Sequence, residues 1–116
     1  MTKRSFIRKG RFFVYIVRCR DNSFYTGFTP DLKRRVKLHN AGRGAKYTRD
    51  RRPVKLVWHK EYKYFKLAFM EERRIKTFTR AQKEGLVKSA RKARRHIKKI
   101  RAFSPKSPIK PKLRRR

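Results

Sequence analysis

Arg35 and His39 lie four residues apart in the run PDLKRRVKLHN. On a helix that spacing places a fixed cation and a titratable imidazole on one face, one turn from each other. Leu32 falls on the same side. Upstream, two tyrosines sit in two apolar runs joined by a polar turn, Tyr15 in FFVYIVRC and Tyr25 in SFYTGF. Downstream, Glu72 takes a core position of the run YFKLAFMEERRIKTF, where Phe65, Ala68, Phe69, Glu72 and Ile75 recur at helical spacing, while Glu71 points away. Either these are ordinary packing and surface residues, or they are parts of one phosphodiester-cleaving site.

Each group has an ordinary alternative. In so basic a chain, an arginine and a histidine on one helical face also read as solvated surface. An inward carboxylate is costly unless paired or bound to a cation, so Glu72 is either a metal ligand or half of a buried Arg–Glu ion pair. Tyrosines in strands are commonly packing residues. For Tyr15 and Tyr25 the register decides. Antiparallel partners sum to a constant, and the two tyrosines share a face only if that constant is even. A turn of one or three residues meets this condition, whereas a two-residue Asp21–Asn22 turn puts them on opposite faces.

The elements that must position these residues follow from local signals. Residues 12–19 read as a strand apolar on both faces, hence central in a sheet. RDNS supplies the turn and SFYTGF the returning strand. TPDL predicts a helix start with Thr29 as N-cap and Pro30 at the first helical position, running to about Asn40 and ending at NAGRG. A loop, AGRGAKYTRDRRP, combines glycines, cations and Tyr47. Together with Arg34 it suits a nucleic-acid backbone and one stacked base, through Arg43, Lys46, Tyr47, Arg49, Arg51 and Arg52. VKLVWHK reads as a third strand and YFKLAFMEERRIKTF as a second helix. TRAQ, from Thr79 to Gln82, matches a capping box that opens a third helix toward Ala102. On that helix Leu86, Ala90, Ala93, Ile97 and Ile100 form a narrow apolar stripe.

With 116 residues the chain holds one modest core. Lys and Arg number 39 against 7 acidic residues, a net charge of +32. Self-repulsion of that size calls for a polyanionic partner, and nucleic acid is the expectation. No apolar run reaches the roughly 20 residues needed to span a bilayer, so no membrane role is expected. The single cysteine, Cys19, excludes an intrachain disulfide and suits a reducing, intracellular compartment such as cytoplasm, nucleoid or organelle matrix. Residues 80–116 carry +15 of the charge, and the ending FSPKSPIKPKLRRR reads as an extended arm. The expected organisation is a basic N-terminal arm (1–11), a folded domain (12–86), a basic helical extension (87–102) and a Pro/Lys/Arg-rich tail (103–116). No protein partner is indicated.

In order and spacing the five residues resemble the GIY-YIG nuclease family, above all its short stand-alone bacterial members and the nuclease domain of structure-specific resolvases. The first motif stands here as Phe13-Val14-Tyr15 and the second as Tyr25-Thr26-Gly27. The family arginine matches Arg35, a histidine found in many members matches His39, and the metal-binding glutamate matches Glu72. Phe13, Val14 and Thr26 depart from the motif at packing positions. The resemblance spans residues 12 to about 86. It implies an α/β (α+β) fold, a small three-stranded antiparallel sheet flanked by helices, and hydrolysis assisted by one weakly held Mg²⁺ or Mn²⁺ on Glu72. It further implies that Arg35 stabilises phosphate charge, Tyr15 serves as general base with His39 as proton acceptor, and Tyr25 orients water or phosphate. An ordinary tyrosine, with a pKa of about 10, is a poor base near neutrality, so neighbouring cations would have to lower it.

Two functions follow from this reading. One is an endonuclease acting on structured or branched DNA or RNA. The other is a structural rRNA-binding, ribosome-associated protein that keeps the domain, holds RNA through its C-terminal helix and tail, and has lost cleavage or dispensed with it.

Overall fold

The computed structural model describes residues 8–103, with side-chain surroundings for 8–95. The first residues of the N-terminal arm, 1–7, and nearly all of the Pro-rich tail, 104–116, lie outside the described residues. Strands β1 (Lys9–Arg18), β2 (Phe24–Thr29) and β3 (Lys55–Tyr64) form an antiparallel sheet in the order β2-β1-β3. Helices α1 (Leu32–Asn40), α2 (Lys46–Arg49), α3 (Phe65–Lys76) and α4 (Arg80–Phe103) flank it. None of these helices is long and apolar enough to cross a membrane.

The doubly apolar strand is central, as its sequence predicts, and its alternation divides the interior in two. Phe12, Val14 and Ile16 pack with Val57, Ala68, Ile75 and Val87 beneath α3 and α4. On the opposite face Tyr15, Val17 and Cys19 pack with Val54, Tyr25, Leu56 and Leu32 of α1.

The β1–β2 turn settles the register. Cys19 N–H donates to the Ser23 carbonyl at 2.8 Å and Asn22 N–H to the Cys19 carbonyl at 2.9 Å. Between them lie three residues, the last of which, Asn22, adopts φ 71°. Asparagine is one of the few residues other than glycine that takes this left-handed conformation readily, and a three-residue hairpin turn requires it at its third position. Tyr15 therefore pairs with Gly27 and Val17 with Tyr25. The constant is even, and both tyrosines face α1.

Several local expectations need correction. Thr29 is not the N-cap of α1, because it closes the β2 ladder opposite Phe13. Its hydroxyl accepts from Asp31 N–H at 3.1 Å, and Asp31 is the cap, accepting from Arg34 N–H at 3.2 Å. Pro30 thus precedes the helix. The C-terminus behaves as expected: Gly42 adopts φ 81°, Gly42 N–H reaches the His39 carbonyl and Arg43 N–H the Leu38 carbonyl, a Schellman closure. The following loop contains a one-turn helix, α2. Strand β3 runs on through Glu61–Tyr64, past the expected end at Lys60. The capping box forms, with Thr79 N–H donating to Gln82 Oε1 at 2.8 Å and Gln82 N–H to Thr79 Oγ1 at 3.2 Å. On α4 the residue in the core is Val87, outside the expected stripe. Leu86 and Ala90 are half-buried and Ala93 is exposed, while the side chains of Ile97 and Ile100 lie outside the described residues.

Candidate active site

The even register puts the Tyr15 phenol beneath α1, where His39 is fully buried. Tyr15 Oη lies 2.8 Å from His39 Nε2, and His39 Nδ1 lies 2.8 Å from Thr48 Oγ1. Two glycines make room for these rings. A Cβ on Gly27 would overlap the Tyr15 phenol, and one on Gly44 would overlap the His39 imidazole. The i, i+4 spacing does bring Arg35 and His39 to one site. Arg35 is half-buried, with Nη1 donating to the Gly44 carbonyl at 3.3 Å. Tyr25 presents its ring to His39 edge-to-face, at 5.3 Å between centroids.

Electrostatics assign the resting protonation states. Burial pushes the Tyr15 pKa well above the ordinary phenol value; Tyr25 adds to the rise, Arg35 opposes it and Glu72 adds again. The sequence-based requirement that nearby cations lower this pKa is therefore met only in part. Arg35 is close enough to act, but burial outweighs it. Burial, with help from the Arg35 charge, also lowers the His39 pKa below 6.5. At neutral pH the pair is thus a neutral phenol against a neutral imidazole.

Glu72 stands on α3, whose Ala68 and Ile75 pack on the sheet face opposite Tyr15. Its side chain is 16% exposed and pairs with Lys76 Nζ at 3.1 Å, so it has a partner, a lysine rather than the arginine of the ion-pair alternative. Glu71, one position before Glu72, is half-buried and bonded to the Arg74 guanidinium. Among the described residues no three His, Cys, Asp or Glu side chains converge on a possible metal position. One carboxylate is still a donor set that suits Mg²⁺, which keeps several waters and completes its shell with substrate phosphate. Glu72 fits such an ion, and its charge reaches Tyr15.

The basic loop is tied to its surroundings by hydrogen bonds. Asn40 closes its neck: Val54 N–H donates to Asn40 Oδ1 at 2.7 Å, and Asn40 Nδ2 donates to the Val54 carbonyl at 3.1 Å. Arg51 is tied down, its Nε donating to Asp21 at 3.1 Å, its Nη1 to the Tyr47 carbonyl at 2.7 Å, and its guanidinium lying 4.0 Å over the Tyr47 ring. Tyr47 also stacks on Tyr25, at 6.0 Å between centroids. A base stacking on Tyr47 would thus compete with protein groups. Arg34, Arg43, Lys46, Arg49 and Arg52 are exposed. Arg49 and Arg52 line an open depression with Arg20 and Asp50. Arg52 Nε is bonded to the Arg49 carbonyl at 2.8 Å.

Thr48, Gly44 and Arg20 carry no individual site signal in the sequence, and Asn40 figures there only as the helix end. Gly44 figures as part of a run suited to close backbone approach.

The chain matches the GIY-YIG catalytic domain over residues 11–98 and belongs to that family. It is 49% identical over 75 residues to a UPF0213 protein of Staphylococcus haemolyticus, covering 65% of this chain and 92% of that one. To a UPF0213 protein of Staphylococcus aureus it is 51% identical over 76 residues, 66% of this chain and 93% of the relative. The solution NMR structure of an E. faecalis protein superposes with a TM-score of 0.50 at 38% identity, covering 73% of this chain and 91% of that one. The UPF0213 relatives are short stand-alone proteins of the family, whose nucleases are generally metal-dependent and act on nucleic acid.

Proposed function

We propose that the protein is a Mg²⁺-dependent endonuclease that hydrolyses phosphodiester bonds in structured or branched nucleic acid. The observation that carries this reading is the 2.8 Å contact between Tyr15 Oη and a neutral His39 Nε2. A buried phenol is a poor base alone. Joined to an imidazole lone pair, it passes its own proton to His39 as it takes one from the attacking water. The phenolate is never exposed as a free charge. The water oxygen forms the new P–O bond, and the ester oxygen departs with the electron pair of the broken one and takes a proton from solvent. Arg35, whose charge acts on both members of this pair, stabilises the charge that develops on the phosphate oxygens. Tyr25, held against His39, orients the water or the phosphate. Glu72 would hold the metal ion, which when bound supplies Lewis-acid stabilisation of phosphate and leaving oxygen.

Substrate is held through its backbone by the exposed cations of α1 and the loop, namely Arg34, Arg43, Lys46, Arg49 and Arg52, with Arg20 completing the depression. Arg51 and Tyr47 serve this surface indirectly, by bracing the loop against the β1–β2 turn.

The test is cleavage of duplex DNA, branched DNA and structured RNA with Mg²⁺, comparing wild type with Glu72→Ala. Metal-dependent cutting that the variant loses supports the enzyme, and the preferred substrate names its task. Equal cutting by both proteins would overturn the role of Glu72. Tight, salt-sensitive binding without cutting in either would mark an RNA-holding domain instead.

A further inference from the structure

Thr48 has no counterpart among the motif residues, yet its side chain is as deeply buried as that of His39. Its Oγ1 lies 2.8 Å from His39 Nδ1 and 3.2 Å from the Ala45 carbonyl. A threonine hydroxyl has one proton, and a carbonyl only accepts. The Ala45 carbonyl also accepts from Arg49 N–H at 3.2 Å; with the hydroxyl proton on that carbonyl, a threonine lone pair faces the imidazole and Nδ1 carries the ring hydrogen. Nε2 is left with its lone pair, and the group facing it is the Tyr15 hydroxyl. With the opposite tautomer, Nε2–H would point at the phenol oxygen and Tyr15 would have no acceptor for its proton.

We propose that Thr48 is a positioning residue that fixes His39 in the Nδ1–H tautomer and aims Nε2 at Tyr15. Its own placement is braced from the backbone. Gly44 leaves space for the imidazole, the Arg35 guanidinium holds the Gly44 carbonyl, and Ala45 is the N-cap of the turn that carries Thr48. Among the described residues, the groups around His39 are the Tyr15 hydroxyl, the Tyr25 ring, Arg35 and Thr48, none of them a carboxylate. A neutral hydroxyl here does the orienting that an acidic partner does in many histidine sites, without charging the ring.

Only the catalytic consequence rests on the proposed nuclease function, since the tautomer is a property of the free protein. Long-range ¹H–¹⁵N correlation spectra of His39 at neutral pH read it directly in wild type, Thr48→Ser and Thr48→Val. The expected result is an Nδ1–H tautomer in wild type and in Thr48→Ser, with that preference lost in the nearly isosteric valine variant. An Nε2–H tautomer in wild type would overturn the assignment, as would an unchanged ring in Thr48→Val. Should the valine protein not fold, the wild-type and serine spectra still decide. In cleavage assays Thr48→Val should lower kcat by about tenfold or more at unchanged KM, with Thr48→Ser restoring it. If no protein cuts but wild type shows the Nδ1–H tautomer, the nuclease reading fails and the positioning of His39 stands.

Discussion

Tyr15 stands opposite Gly27 across the β1–β2 ladder, and its phenol fills the space that a side chain at position 27 would need. The glycine of the second motif is thus a steric partner of the tyrosine of the first. Replacing Gly27 by alanine should drive the ring off the His39 imidazole. Overpacking of this kind costs about 1–3 kcal/mol. Urea denaturation should show that loss, and cleavage should fall further than the stability change alone accounts for. A Gly27→Ala protein with wild-type activity would show that the Tyr15–His39 contact is dispensable.

Burial of neutral His39 predicts a pH dependence whose sign is fixed. The folded-state pKa is lowered from 6.5, so below about pH 6.5 the unfolded chain takes up a proton that the folded protein refuses. Stability from this group is complete above that pH and declines as pH falls toward the folded-state value. The carboxylates of Asp21 and Glu61, held low by Ser23 and Arg11, lose their contribution only in a more acidic range. Urea midpoints between pH 7.5 and 5 should drop more steeply for wild type than for His39→Gln. Parallel curves would remove His39 as the cause.

Lys76 pairs with Glu72 at 3.1 Å and would compete with the cation proposed for that carboxylate. Replacing Lys76 by methionine should reduce the Mg²⁺ concentration needed for half-maximal cleavage by roughly two- to fivefold, the scale of a half-exposed ion pair. A Mg²⁺ titration of the variant measures this directly, and an increase instead of a decrease would place the ion away from Glu72.

Arg20 and Arg49 line one depression. If each contacts a phosphate, Arg20→Gln and Arg49→Gln should each reduce the slope of log K against log salt by about one on duplex DNA, with little change in preference among sequences. Fluorescence anisotropy across a salt series gives the slope, and an unchanged value would take the depression out of the interface.

Much of this site is legible in the chain because it depends on regular spacing. Arg35 and His39 at i, i+4, the doubly apolar strand around Tyr15 and the capping box at Thr79 each follow from a period or a local signature. The tyrosine register is legible only as a condition, because a left-handed residue other than glycine, Asn22, decides it. Thr48 is invisible for a different reason. It lies in a turn of four residues, too short to show a period, and its partner is His39 of the preceding helix. The misplaced cap at Thr29 has a similar cause: the threonine was wanted both by a helix and by a ladder, and pairing with Phe13 prevailed.

The two hydrogen bonds between Asn40 and Val54 clip residues 41–53 together at their base. The clip makes that segment a cassette. Its length and surface can change while α1 and β3 stay where they are, because enlarging a closed loop is cheap, about 0.6 kcal/mol for each doubling. Only two positions inside it, Gly44 and Thr48, are tied to the imidazole. A protein built this way can exchange what it grips and still keep its hydroxyls aligned.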